Sequence, residues 1–294
     1  MSSVPHRITT IIWTGALAFV VTALVGGVWT AALTVNLAVS PAIPWSVVVM
    51  AVLLWALWRY LGGAWPPART ASIRRRSLRA KQVDGRTLAW ALAAGLLSIV
   101  ALAGLWVVLF QIAQLPARTL PDNSRYPLIT VALALIMASL VNAVAEEALF
   151  RGYFQGVLER EVGGLAAIII TILVMAPEHA LTQGFVWPTL LFYIAVDAML
   201  GALAYLCQSI IPGIIVHAVG LLVFFTLVWP GDILRQIFGQ ANADVWLWIH
   251  SAQVVVFTAL AIVAFSQLAR WSRPLRVAEP MPASFAAPDH RATT

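Results

Sequence analysis

The chain has 294 residues, 61% of them hydrophobic and 10% charged, with mean hydropathy +0.89. Soluble domains use about 45–50% apolar residues, so a soluble enzyme is excluded and an all-α polytopic membrane protein is expected. The net charge of +6 and pI near 10.2 invite a nucleic-acid reading, but the basic residues follow the order of the membrane loops and need no such partner. A single cysteine, Cys207, excludes an intramolecular disulfide and a thiolate metal cluster.

Apolar runs long enough to cross about 30 Å of hydrocarbon lie at roughly 9–33, 44–61, 87–113, 127–156, 164–182, 188–207, 209–229 and 245–269, predicting about eight transmembrane helices. The first run ends near Ala38-Val39-Ser40-Pro41-Ala42, which loosely resembles a signal cleavage region, but it exceeds a signal h-region in length and is kept as a helix. Between the second and third runs stand Arg59, Arg69, Arg74, Arg75, Arg76, Arg79, Lys81 and Arg86. Lys and Arg accumulate in cytoplasmic loops, so this loop is expected in the cytoplasm as a topology determinant. Threading eight helices from it puts both termini there too. An integral, plasma (inner) membrane location is expected. Trp65, Trp187 and Trp229 fall at span ends, where an interfacial aromatic belt would place them.

The division expected is 1–126 for three transmembrane helices with the basic loop, 127–229 for a catalytic core on helices four to seven, 230–271 for the last helix, and 272–294 for a disordered, proline-rich tail. The reason for placing the core there is the distribution of ionisable groups. Glu146, Glu147 and Arg151 fall within six residues of an otherwise apolar span, joined by Asn142 one turn earlier and by Glu178, His179, Asp197 and His217 on the next three spans. Each charge at membrane depth costs roughly 2.5–3.5 kcal/mol on insertion scales, so such groups face a bundle interior or a watered cavity.

Spacing separates their tasks. Glu147 and Arg151 stand four apart with the acid N-terminal, the favourable order for a helical ion pair. Glu146 points about 100° away and is left to the cavity, on the same face as Asn142. The short connection Glu161-Val162-Gly163-Gly164 makes spans four and five a hairpin. Glu146 and His179 are equidistant from its centre and therefore at similar depth, so carboxylate and imidazole can meet. Pro177 beside His179 predicts a kink. Asp197 shares a face with Tyr193 and Gly201, for helix–helix bonding or for the site. Two histidines and a glutamate could form a zinc set, but His-Glu-x-x-His is absent and three separate helices supply the candidates, so no metal or other cofactor is expected.

At these residues the sequence resembles the CAAX protease and bacteriocin-processing family of intramembrane endopeptidases, also called the Abi family. Its Glu-Glu-x-x-x-Arg motif appears as Glu146 to Arg151, continuing Gly152-Tyr153-Phe154-Gln155-Gly156. Its Phe-x-x-x-His motif appears as Met175-Ala176-Pro177-Glu178-His179, with methionine for phenylalanine. Its His-x-x-x-Asn motif appears as His217-Ala218-Val219-Gly220-Leu221, where leucine replaces the asparagine. The resemblance spans roughly 127–229. It implies a glutamate-dependent endopeptidase acting on a membrane-anchored protein or peptide within the lipid bilayer. Glu146 with His179 would activate water, Glu147 and Arg151 would support the geometry, and His217 would stabilise the oxyanion. Asn142 or Asp197 is a further candidate for the oxyanion site or cavity lining. Two alternatives follow from the residues: a catalytically silent member acting as a membrane binding or immunity protein, suggested by Leu221, and a proton-coupled transporter using Glu146, His179 and Asp197 as a relay.

Overall fold

The computed structural model describes residues 4–113, 125–183, 186–228 and 245–273; the side chains of 4–7, 177–178 and 180–183 are outside that description, as are residues 274–294 of the tail 272–294 expected to be disordered. Among the described residues every regular element is helical. The long apolar runs become α1 (Val4–Val39), α2 (Trp45–Leu61), α4 (Gly85–Ala113), α5 (Leu128–Glu146), α7 (Gly164–Gln183), α8 (Trp187–Cys207), α9 (Ile211–Val223) and α10 (Val245–Trp271). A short α3 (Ala71–Leu78) lies in the basic loop, and α6 (Gln155–Val162) continues the line of α5. Six of the helical stretches are long and apolar enough to span a membrane, with Trp45–Leu61 and Gly164–Ala176 as shorter apolar helices. The predicted count of eight spans is therefore not reached on length and composition alone.

Two local devices set the N-terminal helices. The buried Asn36 side chain donates to the carbonyls of Ser40 and Ile43 and accepts from the backbone N–H and hydroxyl of Ser46, closing the α1–α2 turn with four hydrogen bonds of 2.8–3.0 Å. Asp84 caps α4: its carboxylate accepts from the Arg86 and Thr87 N–H groups and from the Thr87 hydroxyl, satisfying donors that the first helical turn leaves without partners.

The apolar cores ignore the boundary drawn at residue 127. Ala18, Leu61 and Leu78 pack in one cluster with Phe150, Phe154, Met175 and Ile210. A second joins Ala91 and Ile99 to Leu200, Leu203, Val216 and Leu268. Within this frame α5 packs on α9, α7 on α8, and α4 on both α8 and α9, with α1 laid along α5. The faces carrying Glu146, His179, Asp197 and His217 are thereby turned towards one interior.

The basic loop is more than a charge marker. Arg74 and Arg79 are buried in it. Arg79, in the left-handed conformation at φ 54°, donates to the Arg151 and Ala204 carbonyls and pairs with Glu159 at 3.0 Å. Its own carbonyl accepts from Ile210 N–H, and that of Lys81 from the Ser209 hydroxyl. Besides the charge that makes it a topology determinant in the sequence reading, the loop straps the end of the acidic helix to the start of α9.

Candidate active site

The acidic motif does not continue α5 as a regular α-helix. Glu147–Phe154 is wound as a π-helix before α6 resumes the α form. Such i→i+5 turns concentrate at functional sites because they rotate the side chains that follow out of α register. Close packing accompanies this turn: a Cβ on Gly152 would lie 2.9 Å from the Leu78 carbonyl oxygen, so only glycine admits the strap. Tyr153 donates its hydroxyl to the Leu61 and Arg74 carbonyls.

The altered winding changes the expected pairing. Arg151 Nη1 is 3.7 Å from Glu147 Oε1, whereas Arg151 Nη2 reaches across to Asp197 Oδ1 on α8 at 2.5 Å. The predicted i,i+4 ion pair is therefore the looser of two contacts, and Asp197 is the closer carboxylate. It had been considered for helix–helix bonding or the oxyanion site; its two oxygens instead face a guanidinium and an imidazole.

Each carboxylate held by Arg151 in turn faces a histidine. Glu147 Oε1 accepts from His217 Nδ1 at 3.1 Å. Asp197 Oδ2 lies 3.3 Å from His179 Nε2. The sequence reading missed both pairings, because the mutual rotation of helices that are not hairpin partners leaves no trace in spacing. Glu147 gains its close approach from Gly213, whose absent side chain would stand 2.6 Å from Glu147 Oε2.

Glu146 is placed differently. Its side chain is 14% exposed while that of Glu147 is 0% exposed, and its Oε2 lies 3.8 Å from His217 Nε2. Glu146, His179, His217, Asp197, Asn142 and Leu221 all line one cavity of about 470 Å³, whose remaining wall is largely apolar and includes Phe19, Gly26 and Gly27 of α1. Glu147 and Arg151 stand behind that lining, both fully buried. The arrangement is a cavity many times the volume of a water molecule, with the Glu146 and Asp197 carboxylates and two imidazoles in its lining and the buried Arg151 bridging Asp197 and Glu147 behind it. Charges inside a low-dielectric bundle need such mutual pairing.

Among the described residues, no group of three or more His, Cys, Asp or Glu side chains converges as a metal site. The side chains of Glu178 and Gln183 are outside the described set, and α7 runs through Pro177 as continuous helix.

Compared with known protein families, residues 128–223 match the family described as type II CAAX prenyl endopeptidase Rce1-like. The matched stretch runs from the first residue of α5 to the last of α9 and so contains the whole Arg151-bridged cluster. No curated protein and no solved structure matches the chain.

Proposed function

We propose that this chain, which through residues 128–223 belongs to the Rce1-like CAAX protease family, is an intramembrane endopeptidase that hydrolyses a peptide bond near the membrane-anchored segment of another protein. The family is a protease family; the roles below are our reading of the residues. One observation carries it: Glu146, His179 and His217 line a single cavity, with each histidine backed by its own buried carboxylate.

In this mechanism Glu146, the carboxylate accessible from the cavity, takes a proton from water as that water attacks the scissile carbonyl carbon. His179, which lines the same cavity, assists the transfer. The carbonyl oxygen becomes an oxyanion, and His217 donates to it through Nε2. Glu147 engages His217 at Nδ1 and so leaves Nε2 as the nitrogen turned to the oxyanion. Collapse of the tetrahedral intermediate breaks the C–N bond, and the proton taken up from water passes to the leaving nitrogen. Glu147 and Arg151 touch no substrate in this scheme; they hold His217 and Asp197 in place. No metal enters it. The largely apolar wall of the cavity suits an apolar or lipid-modified substrate segment. Both termini and the basic loop are assigned to the cytoplasmic face from the Lys and Arg bias.

Leu221 favours a second reading, a member that binds without cleaving, because leucine offers no donor where the family motif has asparagine. Asn142 lines the same cavity and supplies the amide we assign to that task. The two readings separate in proteoliposomes carrying membrane-tethered peptides with varied sequences beside the anchor. Hydrolysis at a defined bond, read by mass spectrometry, supports the endopeptidase; retention of intact peptide bound to the protein supports the silent member.

A further inference from the structure

His179 is held from one side by a single helix. Tyr193 and Asp197 stand four apart on α8, one above the other on the same face. The Tyr193 ring stacks on the His179 imidazole with centroids 4.0 Å apart and planes 10° from parallel, while Asp197 Oδ2 approaches its Nε2 at 3.3 Å. The stack sets the plane of the ring, and the carboxylate, an electrostatic approach rather than an aligned hydrogen bond, biases its direction within that plane. Asp197 is itself immobilised, because its other oxygen is engaged by the buried Arg151 at 2.5 Å.

We propose that Tyr193 and Asp197 form a cradle that sets the orientation and tautomer of His179, making Asp197 a positioning residue for it. A carboxylate facing Nε2 at 3.3 Å places the proton of the neutral ring there, and Nδ1 is left as the nitrogen that can accept a hydrogen bond from the water that Glu146 deprotonates. The Tyr193 and Asp197 pair lies outside the three motifs that name the other candidate residues. Arg151 has a defined part in it: it fixes the position of Asp197 and compensates its buried charge, so that the carboxylate remains an acceptor towards the ring. Among the described side chains, the charged and titratable groups around His179 include Asp197 and Tyr193 on α8, Arg151 on the π-helix through Asp197, and Glu146 and His217 in the same cavity lining.

The catalytic consequence rests on the endopeptidase reading above, but the cradle can be tested without it. In full-length protein carrying ¹⁵N-labelled histidine, in micelles, the His179 resonances, assigned by their loss in His179→Ala, should report the Nε2–H tautomer. Asp197→Asn should abolish that preference, and Tyr193→Ala, which leaves Arg151 paired, should weaken it. If wild type cleaves peptide, both variants should lower kcat with KM held within about threefold, Asp197→Asn by up to on the order of 10⁴-fold, the loss seen when a catalytic histidine takes the wrong tautomer. In a His179→Ala background neither should cost more. A wild-type tautomer in a folded Asp197→Asn protein, or in Tyr193→Ala should the first variant fail to fold, overturns the cradle. An Nε2–H tautomer in a wild-type protein that cleaves nothing leaves the cradle standing and removes the endopeptidase reading instead.

Discussion

Arg151 reaches past its own helix to Asp197, 2.5 Å away on α8, while its neighbour of the same motif, Glu147, stays at 3.7 Å. One guanidinium thus ties the two carboxylates that back the two histidines. It also explains how three acids, an arginine and two histidines persist in an apolar bundle: none of the fully buried charges stands alone.

Removal of that tie should be costly. Arg151→Met leaves Glu147 and Asp197 buried without their cation, and breaking a buried pair in this way costs about 3–5 kcal/mol. Arg151→Lys should recover only part of the loss, because an ammonium cannot span both carboxylates with a planar fork. Thermal unfolding in detergent orders the three proteins as wild type, Lys, Met; equal melting temperatures would show that the bridge does not stabilise the bundle.

Glycine positions separate packing from cavity. Gly152→Ala drives a Cβ to 2.9 Å from the Leu78 carbonyl oxygen and should destabilise by about 1–3 kcal/mol, as overpacking does. Gly26 has nothing within 4 Å of such a Cβ and lines the cavity. Gly26→Ala should therefore leave the fold intact or slightly stabilised, whereas Gly26→Leu, filling the chamber, should raise KM for a membrane-tethered peptide. Melting temperatures for the first pair and steady-state kinetics for the last check the contrast.

Much of this architecture was legible beforehand, for stated reasons. Hydropathy located each long helix to within a few residues over its central part, because bilayer length and apolarity leave few options. The 100° step between adjacent helical residues separated Glu146 from Glu147, and the structure leaves one accessible and buries the other. Hairpin symmetry brought Glu146 and His179 to one cavity. Three features were hidden. The π-winding of Glu147–Phe154 packs against the strap at Leu78, a tertiary contact that local spacing does not encode. Arg79 looked like one more loop charge, and only its burial against Glu159 shows otherwise. Asp197 lay on a helix whose rotation relative to α5 no local spacing encodes.

The cap on α4 gives a pH prediction outside the membrane. The hydroxyl of Thr87, then its N–H, and the N–H of Arg86 hold the Asp84 carboxyl below its ordinary value. A lowered folded-state value means that this stabilisation is present above the unfolded value, about 3.9, and is lost as pH falls through the folded one. Asp84→Ala should thus cost about 1 kcal/mol at pH 7, with the difference from wild type fading in strongly acidic buffer. A difference that grew on acidification would contradict the assignment.

Leu221 provides a gain-of-function test. It lines the cavity at the position where the family motif has asparagine. A lost oxyanion donor costs on the order of 10²- to 10³-fold in rate elsewhere, so with Asn142 assigned to the role Asn142→Ala should lower kcat on that scale, and Leu221→Asn should raise it at least about tenfold in that background. A rate unchanged in Asn142→Ala would contradict the assignment.

The central claim is that Glu146 is the base inside the chamber. Its most direct test is hydrolysis of a membrane-tethered peptide by reconstituted Glu146→Gln protein with the melting temperature and micellar size of wild type. The account predicts a fall in kcat to background with peptide binding retained. Cleavage at the wild-type rate would contradict it.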